Sequence, residues 1–370
     1  MPFSLNTKLM DCRSLPEFFA NWNPGSSDLI ITNEYILTPH LNGKKVPCDT
    51  LYQEQFGSGE PNDEMADKML AVIEGKSYER IIAIGGGTVI DIAKLFVFGS
   101  GLRCAQIFAE GGQLQRKRRL VVIPTTCGTG SEVTMISIVY FKQKATKMGL
   151  AVPALFPDEA VLIPGLLRSL PYEVFASSSI DALIHSVESF VSPKATPFSK
   201  AMARDSIGRI LREYKTLAAG GAQVLPGEDS IYSVLVASVM GGIAFGNAGV
   251  GAVHALSYPI GGIYHVPHGK ANYMMFRAVF SAYKKLGANL TELEEALSTA
   301  LECGHSEVWD KLFSLIEFIL PNQPVSALGV DKEKCREMAA SVIKNQQRLL
   351  VNNPIALDEK QIAEIYIECL

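Results

Sequence analysis

Three short apolar runs constrain this chain most: DLIIT at Asp28 to Thr32, RIIAI at Arg80 to Ile84 and LVVI at Leu120 to Ile123. Each is rich in β-branched residues, lacks the alternation of a strand with one wet face, and ends in Asn, Gly or Pro. Buried parallel strands that run into functional loops read this way. Between the first two, Met65, Met69, Leu70 and Ile73 recur at helical spacing within Asn62 to Glu74, so the order is strand, helix, strand. Alternation of this kind continues to about residue 165 and predicts a parallel sheet joined by crossover helices. From about Ser169 the texture changes. Helical periodicity dominates in Ala182 to Val191, Ser199 to Leu217, Ser230 to Ala244 and Leu290 to Leu301, with no convincing strand. The expectation is an α/β domain over 1–168 and an all-helical domain over 169–370, divided where Pro164, Gly165 and Pro171 interrupt both patterns.

Charge and cysteine usage exclude several functions. The 34 basic and 38 acidic residues give a net charge of -4 without a polycationic surface, so nucleic acid is not an expected partner. The one basic run, Arg116 to Arg119, is read as a solvated turn. Seven cysteines without a Cys-x-x-Cys pair indicate neither a disulfide framework nor a thiolate zinc site, and fit a reducing cytoplasm. The apolar stretches look too short and too broken by Gly or Pro to span a bilayer, and the expectation is a soluble protein with no membrane partner.

Two loops look able to hold a phosphorylated ligand. In IAIGGGTVIDIAK, Ile82 to Lys94, a strand passes through three glycines into a helix. Free amides and the positive end of the helix dipole there favour an anion, and Thr88 adds a hydroxyl. A tight structural turn would use the same glycines; the position after an interior strand favours the ligand. Asp91 and Lys94 lie three apart on that helix. The spacing is not G-x-G-x-x-G, so the ordinary dinucleotide fold is not implied. A second loop, PTTCGTGSEVT from Pro124 to Thr134, could hold ribose or phosphate, or simply start a helix with Thr129 or Ser131 as cap. Cys127 in it has no sequence-local activating partner and is read as a packed thiol.

Histidine usage points to a metal. Asp181 and His185 are four apart on a predicted helix, which puts both on one face; of six histidines, His254, His265 and His268 cluster in one further segment. A carboxylate with imidazoles suits iron or zinc and is poor for calcium or magnesium. Glu188 is a candidate to support His185, against the alternative of a solvated or inter-helix ion pair. His40 and His305 receive no role.

Together these segments, with DALIHSVESF and HALSYPIGGIYHVPHG, resemble the iron-containing, group III alcohol dehydrogenases, and within them most closely the 4-hydroxybutyrate dehydrogenases. The resemblance runs from Asp28 to about Asn272. It implies a dinucleotide-binding α/β domain, an all-helical domain, an active site in the cleft between them, and a homodimer. It also implies Asp181, His185, His254 and His268 as ligands of iron, or of zinc. Gly86, Gly87 and Thr88 match its pyrophosphate loop, with Asp91 on the same helix, and Thr125, Thr126 and Thr129 match its second nucleotide loop. Lys147 and Leu162 resemble positions near the nicotinamide ribose. Where many members carry an acidic residue after the first strand, Asn33 follows Thr32 here; NAD remains the expected cofactor over NADP. Where many carry a histidine four residues past the third ligand, Tyr258 stands, and Tyr258 or His265 is expected to relay the proton. The implied reaction is hydride exchange between a primary alcohol and its aldehyde, with 4-hydroxybutyrate and succinic semialdehyde as the pair; Lys270 and Arg277, close to His268 in the sequence, are candidates to meet the carboxylate, against the alternative that both are solvated surface residues. The alternative is a lyase of the dehydroquinate synthase type, which would need a strongly basic phosphate pocket.

Overall fold

The computed structural model describes residues 3–41, 43, 45–144 and 146–370. The chain divides into two compact units, one over 5–170 and one over 171–370 together with residues 3–4.

The first unit is built on a six-stranded parallel sheet with strands β1 (Lys8–Asp11), β2 (Asp28–Thr32), β3 (Asp49–Tyr52), β4 (Arg80–Gly85), β5 (Arg119–Pro124) and β8 (Glu159–Leu162). Their order is β1-β8-β5-β4-β2-β3. Leu29, Ile30 and Ile31 on β2 and Ile81, Ile82 and Ala83 on β4 are all fully buried. Both sheet faces are therefore covered, which is why these runs carry no alternation. One face packs on α3 (Asp63–Val72) and α4 (Gly87–Leu95) through Met65, Met69, Ile92 and Ala93. The other helices of this unit are α1 (Leu15–Trp22), α2 (Glu34–Leu37) and α5 (Cys104–Glu110). Asn62 caps α3 by accepting from the Met65 N–H at 3.0 Å.

The remaining strands, β6 (Ile136–Phe141) and β7 (Thr146–Ala151), pair antiparallel. This hairpin departs from the wholly parallel expectation. A second departure is the PTTCGTGSEVT loop, which enters only a 3₁₀ turn at Ser131–Val133 before the hairpin, so the alternative of a helix start is not realised.

The second unit is helical: α6 (Tyr172–Val191), α7 (Pro197–Gly220), α8 (Glu228–Ala248), α9 (Ala252–Tyr264), α10 (His268–Lys285), α11 (Thr291–Leu301), α12 (Val308–Ile319), α13 (Lys332–Asn345), α14 (Gln347–Leu350) and α15 (Glu359–Glu368). A capping box between Thr196 and Ser199 starts α7. The 21 residues of α8 are long and apolar enough to cross a membrane, contrary to the sequence reading; two-thirds of the apolar window is buried, and α8 packs on α6 and α7. A helix apolar all round is what the core of a helical unit requires.

The basic run is also corrected. Arg118 is buried and donates to Tyr78 O at 3.2 Å, Phe96 O at 2.7 Å and Ser100 Oγ at 3.0 Å, while Arg116 pairs with Asp158. These guanidinium groups satisfy strand and helix ends rather than water. Arg118→Met is expected to lower stability by about 2–4 kcal/mol, since it strands the two buried carbonyls of Tyr78 and Phe96, whereas Lys117→Met on the exposed neighbour should stay within about 0.5 kcal/mol. Calorimetric unfolding of both variants tests this, and equal midpoints would return Arg118 to the solvated turn.

Candidate metal and nucleotide sites

Loop chemistry at the carboxyl edge of the sheet begins with the glycines. Gly86 caps α4 without any side chain, so the first amides of that helix have no intrahelical acceptor. A Cβ on Gly87 would lie 2.7 Å from Thr129 Cγ2, and one on Gly86 would lie 3.2 Å from Thr126 Cγ2. The two loops thus touch, and a side chain at position 87 would have to push Thr129 aside. Thr88 Oγ1 donates to Gly59 O at 3.1 Å, and Thr125 N–H donates to Gly85 O at 3.1 Å.

Beneath the loops lies a polar network that the sequence did not reveal. Lys94 is fully buried, and its Nζ donates to Ser131 Oγ at 2.7 Å, Thr134 Oγ1 at 3.2 Å and Ile136 O at 2.6 Å. Asp91 accepts from Ser131 Oγ at 2.5 Å and from the Ile138 N–H at 2.9 Å, so both its oxygens are engaged within the protein. Glu132 is buried beside them, and among the described residues its Oε1 has no hydrogen-bond partner. Burial pushes the Glu132 carboxyl up to about 7 and the Lys94 ammonium down to about 8, the latter offset in part by the charges of Asp91 and then Glu132. Lys147 on β7 pairs with Glu60 at 2.5 Å, Leu162 ends β8, and Cys127 is buried.

In the helical unit, Asp181 and His185 lie one turn apart on α6, His254 lies on α9 and His268 opens α10. One donor atom from each falls within 4.8 Å of all the others. The Asp181 Oδ1 atom is 3.7 Å from His254 Nε2 and 3.9 Å from His268 Nε2, and Oδ2 is 4.0 Å from His185 Nδ1. Burial raises the Asp181 carboxyl, yet the three imidazoles and the Asn272 amide, which donates to Oδ1 at 2.6 Å, hold it below its ordinary range. Gly269 makes the approach possible: a Cβ there would lie 2.2 Å from Ser177 O on α6.

Glu188 serves His254 rather than His185. Its Oε2 lies 2.5 Å from His254 Nδ1, and its Oε1 accepts the Val253 N–H at 2.7 Å. With Nδ1 committed to the carboxylate, Nε2 faces the cluster, where it is buried with no hydrogen-bond partner among the described residues. A buried lone pair, two further imidazoles and one carboxylate form a donor set that fits a ferrous or zinc ion. Stepping along α6, Asp181, His185 and Glu188 share one stripe, which the sequence shows; that Glu188 reaches a different helix it does not show. Tyr258, one turn past His254, is buried with its ring 6.3 Å from that of His268. His265 ends α9 in the left-handed region, at φ 55°, and is exposed. Lys270 pairs with Glu173, and Arg277 lies over Phe313 at 4.9 Å.

A family model described as iron-containing alcohol dehydrogenase matches residues 12–164, and one described as the C-terminal part of the Fe-containing alcohol dehydrogenase family matches residues 175–370. The chain belongs to the iron-containing alcohol dehydrogenase family. It is 41% identical to a 4-hydroxybutyrate dehydrogenase of Clostridium kluyveri over 352 residues, covering 95% of this chain and 94% of that one. It is 31% identical to long-chain-alcohol dehydrogenase 1 of Geobacillus thermodenitrificans, covering 83% and 79%. In fold, it matches a sulfoacetaldehyde reductase of Bifidobacterium kashiwanohense, solved with NAD+, at a TM-score of 0.84 and 19% identity over 100% of this chain and 98% of that one. An iron-containing alcohol dehydrogenase of Thermococcus thioreducens matches at a TM-score of 0.82 and 25% identity, covering 100% and 99%.

Two outcomes are expected from this geometry. Glu188→Gln should weaken iron or zinc binding about 10- to 100-fold while leaving the helical content intact, because the amide no longer fixes the His254 tautomer; competition with a chelator measures it, and unchanged affinity would reduce Glu188 to a packing residue. For Glu132 the folded value lies above the ordinary 4.5, so the folded state holds an extra proton between 4.5 and about 7 and loses stability as pH rises through that window. Glu132→Gln should therefore gain on the wild type across it, by up to about 1.4 kcal/mol per pH unit. A difference flat with pH in urea unfolding would show that Glu132 carries its charge throughout.

Proposed function

We propose that this enzyme is an NAD-linked, metal-dependent dehydrogenase that interconverts 4-hydroxybutyrate and succinic semialdehyde. The observation that carries the substrate is the 41% identity to the Clostridium kluyveri 4-hydroxybutyrate dehydrogenase across nearly the whole of both chains. Asp181, His185, His254 and His268 are the proposed ligands of iron, with zinc as the second choice. Bound there, the ion would supply Lewis acidity toward the alcohol or carbonyl oxygen, and the nicotinamide would supply the hydride acceptor.

The chain's own residues do the rest. Amides at Gly86 and Gly87 hold the pyrophosphate at the α4 terminus, and the Thr88 hydroxyl joins them by turning away from Gly59 O. Thr125, Thr126 and Thr129 take further nucleotide oxygens, and Lys147 and Leu162 flank the nicotinamide ribose; Asp91 contributes by holding Ser131 and the hairpin against α4. Tyr258, beside His268, holds the alcohol's proton, and His265 passes it to water. Lys270 is the cation proposed for the substrate carboxylate, which would displace Glu173, with Arg277 second. The domains over 1–168 and 169–370, a homodimeric state and a cytoplasmic setting belong to the same reading.

The test follows NADH absorbance with protein loaded anaerobically with ferrous iron, against a metal-stripped control. Succinic semialdehyde is expected to be reduced with a kcat/KM about 10- to 100-fold above that of pentanal, the range one or two charge-assisted hydrogen bonds provide. Equal efficiency would keep the dehydrogenase and discard the substrate. No oxidation of NADH with either aldehyde would discard the dehydrogenase in favour of lyase chemistry.

A further inference from the structure

Asn33 leaves the carboxyl end of β2 with a neutral amide, but a carboxylate reaches the same place from the neighbouring strand. The parallel register sets Thr32 opposite Tyr52, so Asn33 and Gln53 emerge side by side, with Glu54 next. Glu54 Oε2 accepts from Asn33 Nδ2 at 2.8 Å, and Glu54 Oε1 accepts from the Glu34 N–H at 2.6 Å. The Asn33 amide is further fixed by Gln53 Oε1 at 3.1 Å. On its other side β2 pairs with β4, Thr32 opposite Ile84, and β4 runs directly into Gly85, Gly86 and Gly87. The end of β2 thus lies about one inter-strand spacing, roughly 5 Å, to the side of the strand that enters the glycine loop, and the Glu54 carboxylate, from the strand beyond, is held against that end by Asn33 and Glu34.

We propose that Glu54 selects NAD over NADP. This rests on the reading that the glycine loop takes a dinucleotide pyrophosphate. A ribose adjoining that pyrophosphate presents its hydroxyls toward the end of β2, where a carboxylate accepts both. Two of the carboxylate's acceptor positions are used by Asn33 and Glu34, and an ionised carboxylate has about four, so acceptors remain for two hydroxyl donors. A 2′-phosphate brings no donor and a like charge, and among the described residues no Lys or Arg pairs with Glu54 to neutralise it. Glu54 is exposed, so its charge costs nothing in desolvation before the ligand arrives. Asn33 acts through Glu54 as a positioning residue, its amide spent on holding the carboxylate.

The experiment measures dissociation constants of NADH and NADPH by nicotinamide fluorescence, with kcat/KM for each, in the wild type, Glu54→Gln and Asn33→Ala. The wild type is expected to prefer NADH. Glu54→Gln should narrow that preference roughly 10- to 100-fold by weakening NADH and strengthening NADPH, since it removes a charge-assisted acceptor and a repulsion together. Binding of 2′-deoxy-NADH gives the second readout: it should fall below NADH in the wild type and equal it in Glu54→Gln. Asn33→Ala should shift the preference in the same direction but less. An unaltered NADH to NADPH ratio in a Glu54→Gln protein that still binds NADH would overturn the proposal and leave the dinucleotide reading intact. A wild type that binds neither nucleotide would sink that reading itself.

Discussion

Removing a carboxylate from water costs several kcal/mol unless matched charges or donors replace the lost hydration, and the helical unit is arranged around that problem at Asp181. Three imidazoles and one amide converge on its two oxygens, and they come from three helices. To converge, α9 must end and α10 begin within a few residues. His265 in the left-handed region stops the first, and Pro267 starts the second with its missing N–H at a place where none is needed. Gly269 then lets the first turn of α10 lie against α6, since any side chain there would strike Ser177 O. The chain reversal, the glycine and the buried acid are one solution, not three features.

The α/β unit meets the same problem with the sign reversed. Lys94 lies where no water reaches, one helix turn after Asp91, and its three donors all go to the loop and hairpin that follow β5. An ammonium in that setting ties the PTTCGTGSEVT segment to α4 by charge-assisted bonds, which hold geometry better than neutral ones. Loops that cradle an anion need such backing, because their own amides must stay free of internal partners. The glycines make room for a ligand, and the buried polar pair beneath them keeps that room from collapsing.

Much of this was legible in the residues because the signals were local. β2, β4 and β5 are buried on both faces, so their apolar runs were continuous and unmistakable, and the four donors fell in two short segments of a histidine-poor chain. What escaped had no local signal. The edge strand β1 is mostly exposed and reads as loop, β3 is four residues long, and β6 and β7 gain their identity from each other. Arg118 belongs to a charged run that suggests solvent; only the tertiary placement of Tyr78, Phe96 and Ser100 turns it inward. The length of α8 was hidden by its glycines, of which Gly241 is a contact point and not a break, lying against Ser186 of α6.

Sequence separation is a poor guide to chemical neighbourhood wherever parallel strands or crossing helices set the register. Glu188 is three residues from His185 and 66 from His254, yet the imidazole it holds is the second, because the first turn of α9 meets α6 at that level. An acid three positions along a helix points to the same side as its neighbour but projects past it, so its carboxylate is offered to whatever packs above. The same holds at the sheet edge, where residues 33 and 54 are neighbours through one strand pairing. A site is therefore defined by where charge sits in space, and the position in the chain that supplies that charge can move without the chemistry moving with it.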